Sequence, residues 1–233
     1  MDFSDTHVVV SGGTGALGSA VVHRLLEGGA TCHVPNFDAG ELDHFLHKDD
    51  PRVFMTSGLD LTNEAMVQNY YAGLPDLWAS IHIAGGFAMS PVAETSKDDF
   101  MAQINMNALS TFLCCREATK KLREKNIGGR LVNVAARPAL EPRSGAGMTA
   151  YTAAKAAVAA LTQALGEELS GEGIWVNAVA PSIMDTPANR AAMADADHSK
   201  WPSVDEVAAT IVYLASAANG SARSGVVPVY GKS

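Results

Sequence analysis

Short apolar runs alternate along this chain with segments whose apolar residues recur every three to four positions. Val8-Val9-Val10 is a β-branched run and reads as a buried strand. Behind it lies a glycine-rich turn, then a helix with Leu17, Val21 and Leu25 on one face and Ser19, His23 and Glu27 elsewhere. Gly28-Gly29 ends that helix, and Thr31 to Val34 reads as a second strand. The alternation continues with strands at Arg52 to Met55, Ser80 to Ala84, Leu131 to Val134, Ile174 to Ala178 and Val226 to Val229. Helices are expected at Asn63 to Ala72, Asp98 to Lys125 (one long or two stacked segments), Ala150 to Leu169 and Val204 to Ala217. A Pro- and Gly-rich loop follows the Leu131 strand. This order predicts an α/β fold over residues 1–233, a single doubly wound Rossmann domain. Its central sheet is mostly parallel and seven-stranded, with helices on both faces. Residues 182–202, between Pro181 and Trp201-Pro202, break the repeat and read as a substrate-binding lid or as a plain surface loop.

A composition of 47% hydrophobic and 18% charged residues suits a globular chain rather than a disordered one. The formal net charge of −8 argues against nucleic acid as a partner, because phosphate contacts need surplus Lys and Arg. The basic cluster Arg116, Lys120, Lys121, Arg123, Lys125 and Arg130 reads as a solvated helix face. Cys32, Cys114 and Cys115 form no metal or disulfide pattern, and the histidines show no metal spacing, so no metal site is expected. No apolar run reaches the roughly 18 residues of a membrane span, and the N-terminus lacks signal-peptide character, so the expected location is cytoplasmic, with no membrane partner.

Two groups of residues carry chemistry. Gly13-Thr14-Gly15-Ala16-Leu17-Gly18 satisfies Gly-x-Gly-x-x-Gly between a strand and a helix, the context in which backbone N–H groups and a helix dipole cradle a pyrophosphate. The ribose-selecting stretch reads His33-Val34-Pro35-Asn36-Phe37-Asp38. Asn36 stands where an NAD-preferring fold places an acid, Asp38 comes two residues late, and no cation is near for a 2′-phosphate. The expected cofactor is NAD(H) or NADP(H), leaning to NAD(H). Downstream, Tyr151-Thr152-Ala153-Ala154-Lys155 puts a phenol and an ammonium on one helix face. A phenol titrates near pH 10, and a neighbouring ammonium should lower that value and make it a usable acid and base.

With these motifs in order, the chain resembles the short-chain dehydrogenase/reductase family, roughly from Thr6 to Gly231. The glycine turn Ser11-Gly12-Gly13-Thr14-Gly15-Ala16-Leu17-Gly18 carries Ala16 where the commonest family pattern has a glycine. Asp60-Leu61 is similar to the family's adenine-contacting pair. Ala84-Gly85 resembles the end of its Asn-Asn-Ala-Gly segment, with His82 and Ile83 in place of the asparagines. Asn107 matches the active-site asparagine that holds a relay water, and Tyr151 and Lys155 match the catalytic pair. Pro181, Ile183 and Thr186 fall in the segment that grips the nicotinamide carboxamide, with Ser182 replacing a glycine. The resemblance implies reversible hydride transfer with a small-molecule substrate, and a homodimer or homotetramer. It also implies a serine after the strand that precedes the catalytic helix. Here that segment reads Asn133-Val134-Ala135-Ala136-Arg137, and Ser144 belongs to the next loop. Dihydropteridine reductase also lacks this serine and is similar at Gly13 to Gly18, at Ala84-Gly85-Gly86 and around Ala136 to Tyr151. The expected substrate is therefore a small carbonyl, an alcohol or a conjugated imine of the dihydropteridine kind. The alternative is a catalytically weak or inactive nucleotide-binding sensor or assembly subunit that keeps the fold.

Overall fold

Strands buried on both faces build the centre of the molecule. The computed structural model describes residues 1–233, apart from the side chain of residue 39. Its strands are β1 (His7–Ser11), β2 (Thr31–Asn36), β3 (Val53–Ser57), β4 (Ala79–His82), β5 (Gly129–Val134), β6 (Ile174–Pro181) and β7 (Val226–Val229). They pair in the order β3-β2-β1-β4-β5-β6-β7. Every ladder is parallel, so the sheet expected to be mostly parallel is parallel throughout. Parallel neighbours need crossover connections, and the helices that make them cover both faces.

Successive side chains along a strand serve opposite layers. Val8 and Val10 pack with Val21 and Leu25 of α1 (Ala16–Glu27) and with Ile211 of α8 (Val204–Ala215). Val9 joins the other layer, with Val67 of α2 (Glu64–Ala72) and Leu113 and Leu122 of α4 (Ser110–Arg123). Val158 and Ala159 of α6 (Thr149–Glu168) pack on Ala178 and Ala180 of β6. From β1 the chain winds outward through β2 and β3, then returns to β4 on the opposite side of β1. The connections therefore diverge above the carboxyl ends of β1 and β4, and such a switch point leaves a crevice.

Several boundaries differ from those the sequence suggests, for local reasons. The β4 strand stops at His82 rather than Ala84, because the amides of Ile83 and Ala84 both turn to the Ser11 carbonyl, at 3.1 Å each. The helical stretch expected from Asp98 is one rod with a defect. It comprises α3 (Lys97–Gln103), a π turn over Ile104–Leu109, and α4. Ser96 and Asp99 form a reciprocal capping box at its start. The loop after β5 contains α5 (Arg137–Leu140) and a 3-10 turn over Pro142–Gly145. Residues 182–202 are not plain loop either, because α7 (Pro187–Ala192) starts there on a Thr-Pro signal. The Thr186 hydroxyl accepts from the Asn189 amide at 3.2 Å. That segment is tied down at both ends, through Ser182 N to Val229 O at 3.2 Å and Lys232 N to Lys200 O at 2.8 Å.

Candidate active site

The glycine turn is shaped by backbone crowding. Gly12 has φ +69°, and a Cβ there would stand 2.7 Å from the Ala84 amide nitrogen. A Cβ on Gly18 would lie 2.0 Å from the Gly12 carbonyl oxygen, and one on Gly13 would lie 2.8 Å from a Val34 methyl group. Gly15 differs, since its nearest neighbour would be the Gly12 oxygen at 3.6 Å. Gly12, Gly13 and Gly18 are thus required by the protein's own packing, whereas Gly15 borders open space. That space is a cleft of about 530 Å³ at the switch point, walled by Gly12, Thr14, Gly15, Ala16, Leu17 and Gly18. The N-terminus of α1 opens into it without a side-chain cap and without an acid in its first turn, so its amides are available to an anion.

The far end of the cleft gathers Asn36, Asp60 and Leu61, as the sequence suggests, together with Glu41, which it does not single out. Glu41 lies on a 3-10 turn over Ala39–His44 that follows β2. Its Oε2 accepts from the Thr14 hydroxyl and from Asn36 Nδ2, the latter at 3.2 Å. Asp38, the late acid of the ribose stretch, is spent locally, because its Oδ1 caps that turn by accepting from the Gly40 amide at 2.8 Å. Asp60 also folds back on its own loop, accepting from the Thr62 amide at 2.8 Å and the Thr62 hydroxyl at 2.7 Å. Asn36 is 3% exposed, and its Oδ1 has no hydrogen-bond partner among the described residues.

A second cavity, about 260 Å³, continues from the first; both share Leu17, Ile83, Gly85 and Met184 as walls. Tyr151, Lys155, Asn107 and Pro181 meet there. Helix α6 positions the first two, four residues apart on one face. The Lys155 ammonium donates to the Val134 carbonyl at 2.8 Å and stands 5.9 Å from the centre of the Tyr151 ring. Burial governs both groups, pushing the phenol up to about 12 and the ammonium down to about 8. The sequence spacing suggests a lowered phenol pKa; here burial acts in the opposite direction, because desolvation disfavours the phenolate. Asn107 sits in the π turn and is fully buried. Its Nδ2 donates to the carbonyls of Gly86 and Gln103, at 3.0 Å each, and its Oδ1 accepts from the Gly86 amide at 3.3 Å. The π turn thereby clamps the loop after β4 against the cavity, a common location for such turns. Gly85 fits under the clamp only without a side chain, since a Cβ would lie 2.5 Å from Asn107 Oδ1.

Ala135 and Ala136 form the wall where the family carries a serine. Ser144 does not replace it: its hydroxyl is exposed and donates to the Glu141 carbonyl at 2.8 Å. Ser182, which does reach the cavity, donates to the Tyr230 carbonyl at 3.0 Å. Phe87, another residue the sequence reading passes over, stands edge-on to Tyr151, with ring centres 5.0 Å apart. Ile183 and Thr186 are not among the walls of either cavity; Thr186 caps α7, and Met184 takes the wall position instead. Sequence spacing could not find Glu41 or Phe87, because each is delivered by an irregular segment.

Behind the cavity, His82 anchors a buried polar chain with a single direction. The Val158 carbonyl accepts from the Thr162 hydroxyl at 2.8 Å, and Thr162 accepts from Asn133 Nδ2 at 2.9 Å. Asn133 Oδ1 is therefore the acceptor for His82 Nδ1–H at 2.7 Å. That fixes the tautomer and leaves His82 Nε2 to accept from Ser80 at 2.8 Å, while Ser80 accepts from Tyr71 at 2.8 Å. Burial pushes the His82 pKa down to about 4, so the ring is neutral at physiological pH.

A nicotinamide dinucleotide fits these features. The glycine turn presents backbone to the long cleft, and the unpartnered Asn36 Oδ1 lies at its adenosine end. Comparisons agree with this assignment. The short chain dehydrogenase family profile matches residues 6–197. The chain is 32% identical to 2,3-dihydro-2,3-dihydroxybenzoate dehydrogenase of Escherichia coli, over 82% of this chain and 74% of that protein. It is 29% identical to (2S)-[(R)-hydroxy(phenyl)methyl]succinyl-CoA dehydrogenase subunit BbsD of Thauera aromatica, over 99% and 97% of the two chains. Among solved structures, levodione reductase superposes with a TM-score of 0.87 at 25% identity, covering 98% of this chain and 97% of that one.

Proposed function

Since the chain belongs to the short chain dehydrogenase family, and is an NAD(P)-dependent oxidoreductase as that family's members are, we propose that it reduces a conjugated imine of the dihydropteridine kind. The carrying observation is the paired Tyr151 and Lys155 in a cavity whose serine wall is replaced by Ala135 and Ala136. A ketone needs a second donor to share its developing charge, and removing such a donor typically costs about 10²–10³ in rate. A conjugated imine spreads that charge through its own ring and can be served by one donor. The exposed face of Phe87 beside Tyr151 suits a planar ring.

In this reading Gly12 to Gly18 hold the pyrophosphate, Asn36, Asp60 and Leu61 the adenosine end, and Ala84, Gly85 and Pro181 the nicotinamide end. When bound, the cofactor supplies or receives the hydride. Tyr151 donates the proton at its phenol oxygen, which burial holds protonated at neutral pH. Lys155, fixed by the Val134 carbonyl, stabilises the phenolate that results. Asn107 positions the Gly86 backbone and orders the relay water. NAD(H) is the favoured cofactor. Residues 182–202 close over the substrate through Met184 and Ser182, and Thr186 holds that segment in place by capping α7. Exposed apolar residues on the α3–α4 rod, Phe100, Met101 and Phe112, supply a face for a homo-oligomer.

The test is nicotinamide oxidation with a panel of dihydropteridines and simple ketones. Turnover of the pteridines above the ketones, abolished in Tyr151→Phe, is expected. Ala136→Ser should then raise ketone turnover selectively. Efficient ketone reduction by the wild type, with no pteridine activity, would refute the substrate assignment.

A further inference from the structure

We propose that Glu41, on the turn after β2, is the residue that selects NAD(H) against NADP(H), acting with Asn36 as an acceptor-only ribose site. The inference rests on the reading that the cleft holds a nicotinamide dinucleotide, and it adds the group that discriminates between the two. Dinucleotide folds place that group at the end of the second strand. Here the strand ends in a neutral amide, Asn36, and the acid arrives five residues later.

The hydrogen bonds fix its orientation. Asn36 Nδ2 donates to Glu41 Oε2 at 3.2 Å, and the Thr14 hydroxyl of the glycine turn donates to the same oxygen. The carboxylate is therefore drawn across the adenosine end of the cleft, toward the pyrophosphate cradle. Asn36 Nδ2 has its two protons directed at Glu41 Oε2, at 3.2 Å, and more weakly at Thr14 Oγ1, at 3.5 Å, while its buried Oδ1 has no partner among the described residues. What this end of the cleft offers a ligand is thus the acceptor oxygens of the Glu41 carboxylate, while the orphaned Asn36 Oδ1 is enclosed in this structure. A ribose with two free hydroxyls brings two donors and satisfies them. A 2′-phosphate brings only acceptors and a charge of the same sign as the carboxylate. The charged side chains on the walls of this cleft are Glu41 and Asp60, so among the described residues no wall cation offsets that repulsion. Discrimination here comes from repulsion of the wrong ligand as much as attraction of the right one.

The test is calorimetric binding of NADH and NADPH to the intact protein, without substrate, for the wild type, Glu41→Gln, Glu41→Asp and Asn36→Ala. The wild type should bind NADH at least tenfold more tightly than NADPH. Glu41→Gln removes the charge and supplies an amide donor, so it should narrow that ratio at least tenfold, mainly by tightening NADPH. Glu41→Asp should keep the preference for NADH. Asn36→Ala should weaken both cofactors without reversing their order. A wild type that prefers NADPH, or a ratio unmoved in Glu41→Gln, overturns the assignment of Glu41 while leaving the oxidoreductase reading intact. If neither dinucleotide binds the wild type, the cleft reading itself fails and takes this inference with it.

Discussion

Protonation of His82 should make this fold acid-labile, by an amount its surroundings allow one to work out. The imidazole is fully buried, and the groups facing it are Ser80 and Tyr71 on one side and Asn133, Thr162 and the Cys115 thiol on the other. None of these is a carboxylate, and burial raises the Cys115 thiol, so no counter-charge awaits an imidazolium. A second ring proton would also force Ser80 to stop donating to Nε2, reversing the chain back to Tyr71. The pKa accordingly falls from 6.5 to about 4. Above pH 6.5 the ring is neutral whether the chain is folded or unfolded, and the linkage is silent. Below it, the unfolded chain gains a proton that the folded chain refuses until about pH 4, so stability falls as pH falls. Integrating over this window gives a loss of about 2 kcal/mol by pH 5 and about 3 kcal/mol by pH 4, against a typical domain stability of roughly 5–15 kcal/mol. The assay is urea unfolding of the wild type and His82→Asn at pH 7.5 and pH 5, at one protein concentration so that assembly does not enter. The variant has an offset of its own at both pH values, but its pH-dependent loss should be smaller by about 2 kcal/mol. His33, also lowered to about 4 by burial, is present in both proteins and cancels. Equal losses in the two proteins would show that His82 does not carry the acid sensitivity.

Two further outcomes separate packing from chemistry. Gly18→Ala puts a Cβ 2.0 Å from the Gly12 carbonyl and should cost more than about 3 kcal/mol in thermal or urea unfolding, whereas Gly15→Ala meets nothing closer than 3.6 Å. Gly15→Ala should therefore fold with near wild-type stability yet lose NADH affinity by calorimetry; equal destabilisation of the two variants would contradict this division of roles. Lys155, lowered to about 8 by burial, loses its charge as pH rises through that value, while Tyr151, raised to about 12, stays protonated throughout the working range. The kcat/KM for reduction at saturating cofactor should therefore fall above about pH 8, and Lys155→Met should have low activity without that falling limb; a limb retained in the variant would assign it to another group.

The layered α/β order was legible because the central β-branched runs are buried on both sides and the crossover helices carry their apolar residues on one stripe. The positions of Tyr151 and Lys155 were equally legible, since a single helix fixes their relation whatever surrounds it. What escaped depends on segments without a period. Glu41 reaches the cleft because Asp38 caps a 3-10 turn, a local bond that no hydrophobic pattern encodes. The stretch 182–202 carries the helix α7, signalled only by Thr186-Pro187. The burial that pushes the Tyr151 phenol up was not legible either, because sequence spacing reports which charges are close but not how little water remains around them.

The departures from the family pattern are of two physical kinds. His82, in place of an asparagine, brings two ring nitrogens where a carboxamide would stand. Both are satisfied, through Asn133 and Ser80, in a chain that runs unbroken from Tyr71 to Val158. That change is absorbed by the core, and its consequence is acid sensitivity rather than altered chemistry. Ala135 and Ala136 are different, because nothing compensates for the lost hydroxyl. Ser144 and Ser182 both give their protons to backbone carbonyls, and Asn107 is committed to Gly86 and Gln103. The Lys155 ammonium, held by the Val134 carbonyl, is the nearest remaining source of positive potential for Tyr151. In the proposed reaction the substrate has one protein donor, Tyr151, so one whose acceptor is already electron-poor or whose developing charge is delocalised is served best. On the proposed reading, the missing hydroxyl acts as a filter on the electronic character of the substrate, passing a conjugated imine ahead of a simple ketone.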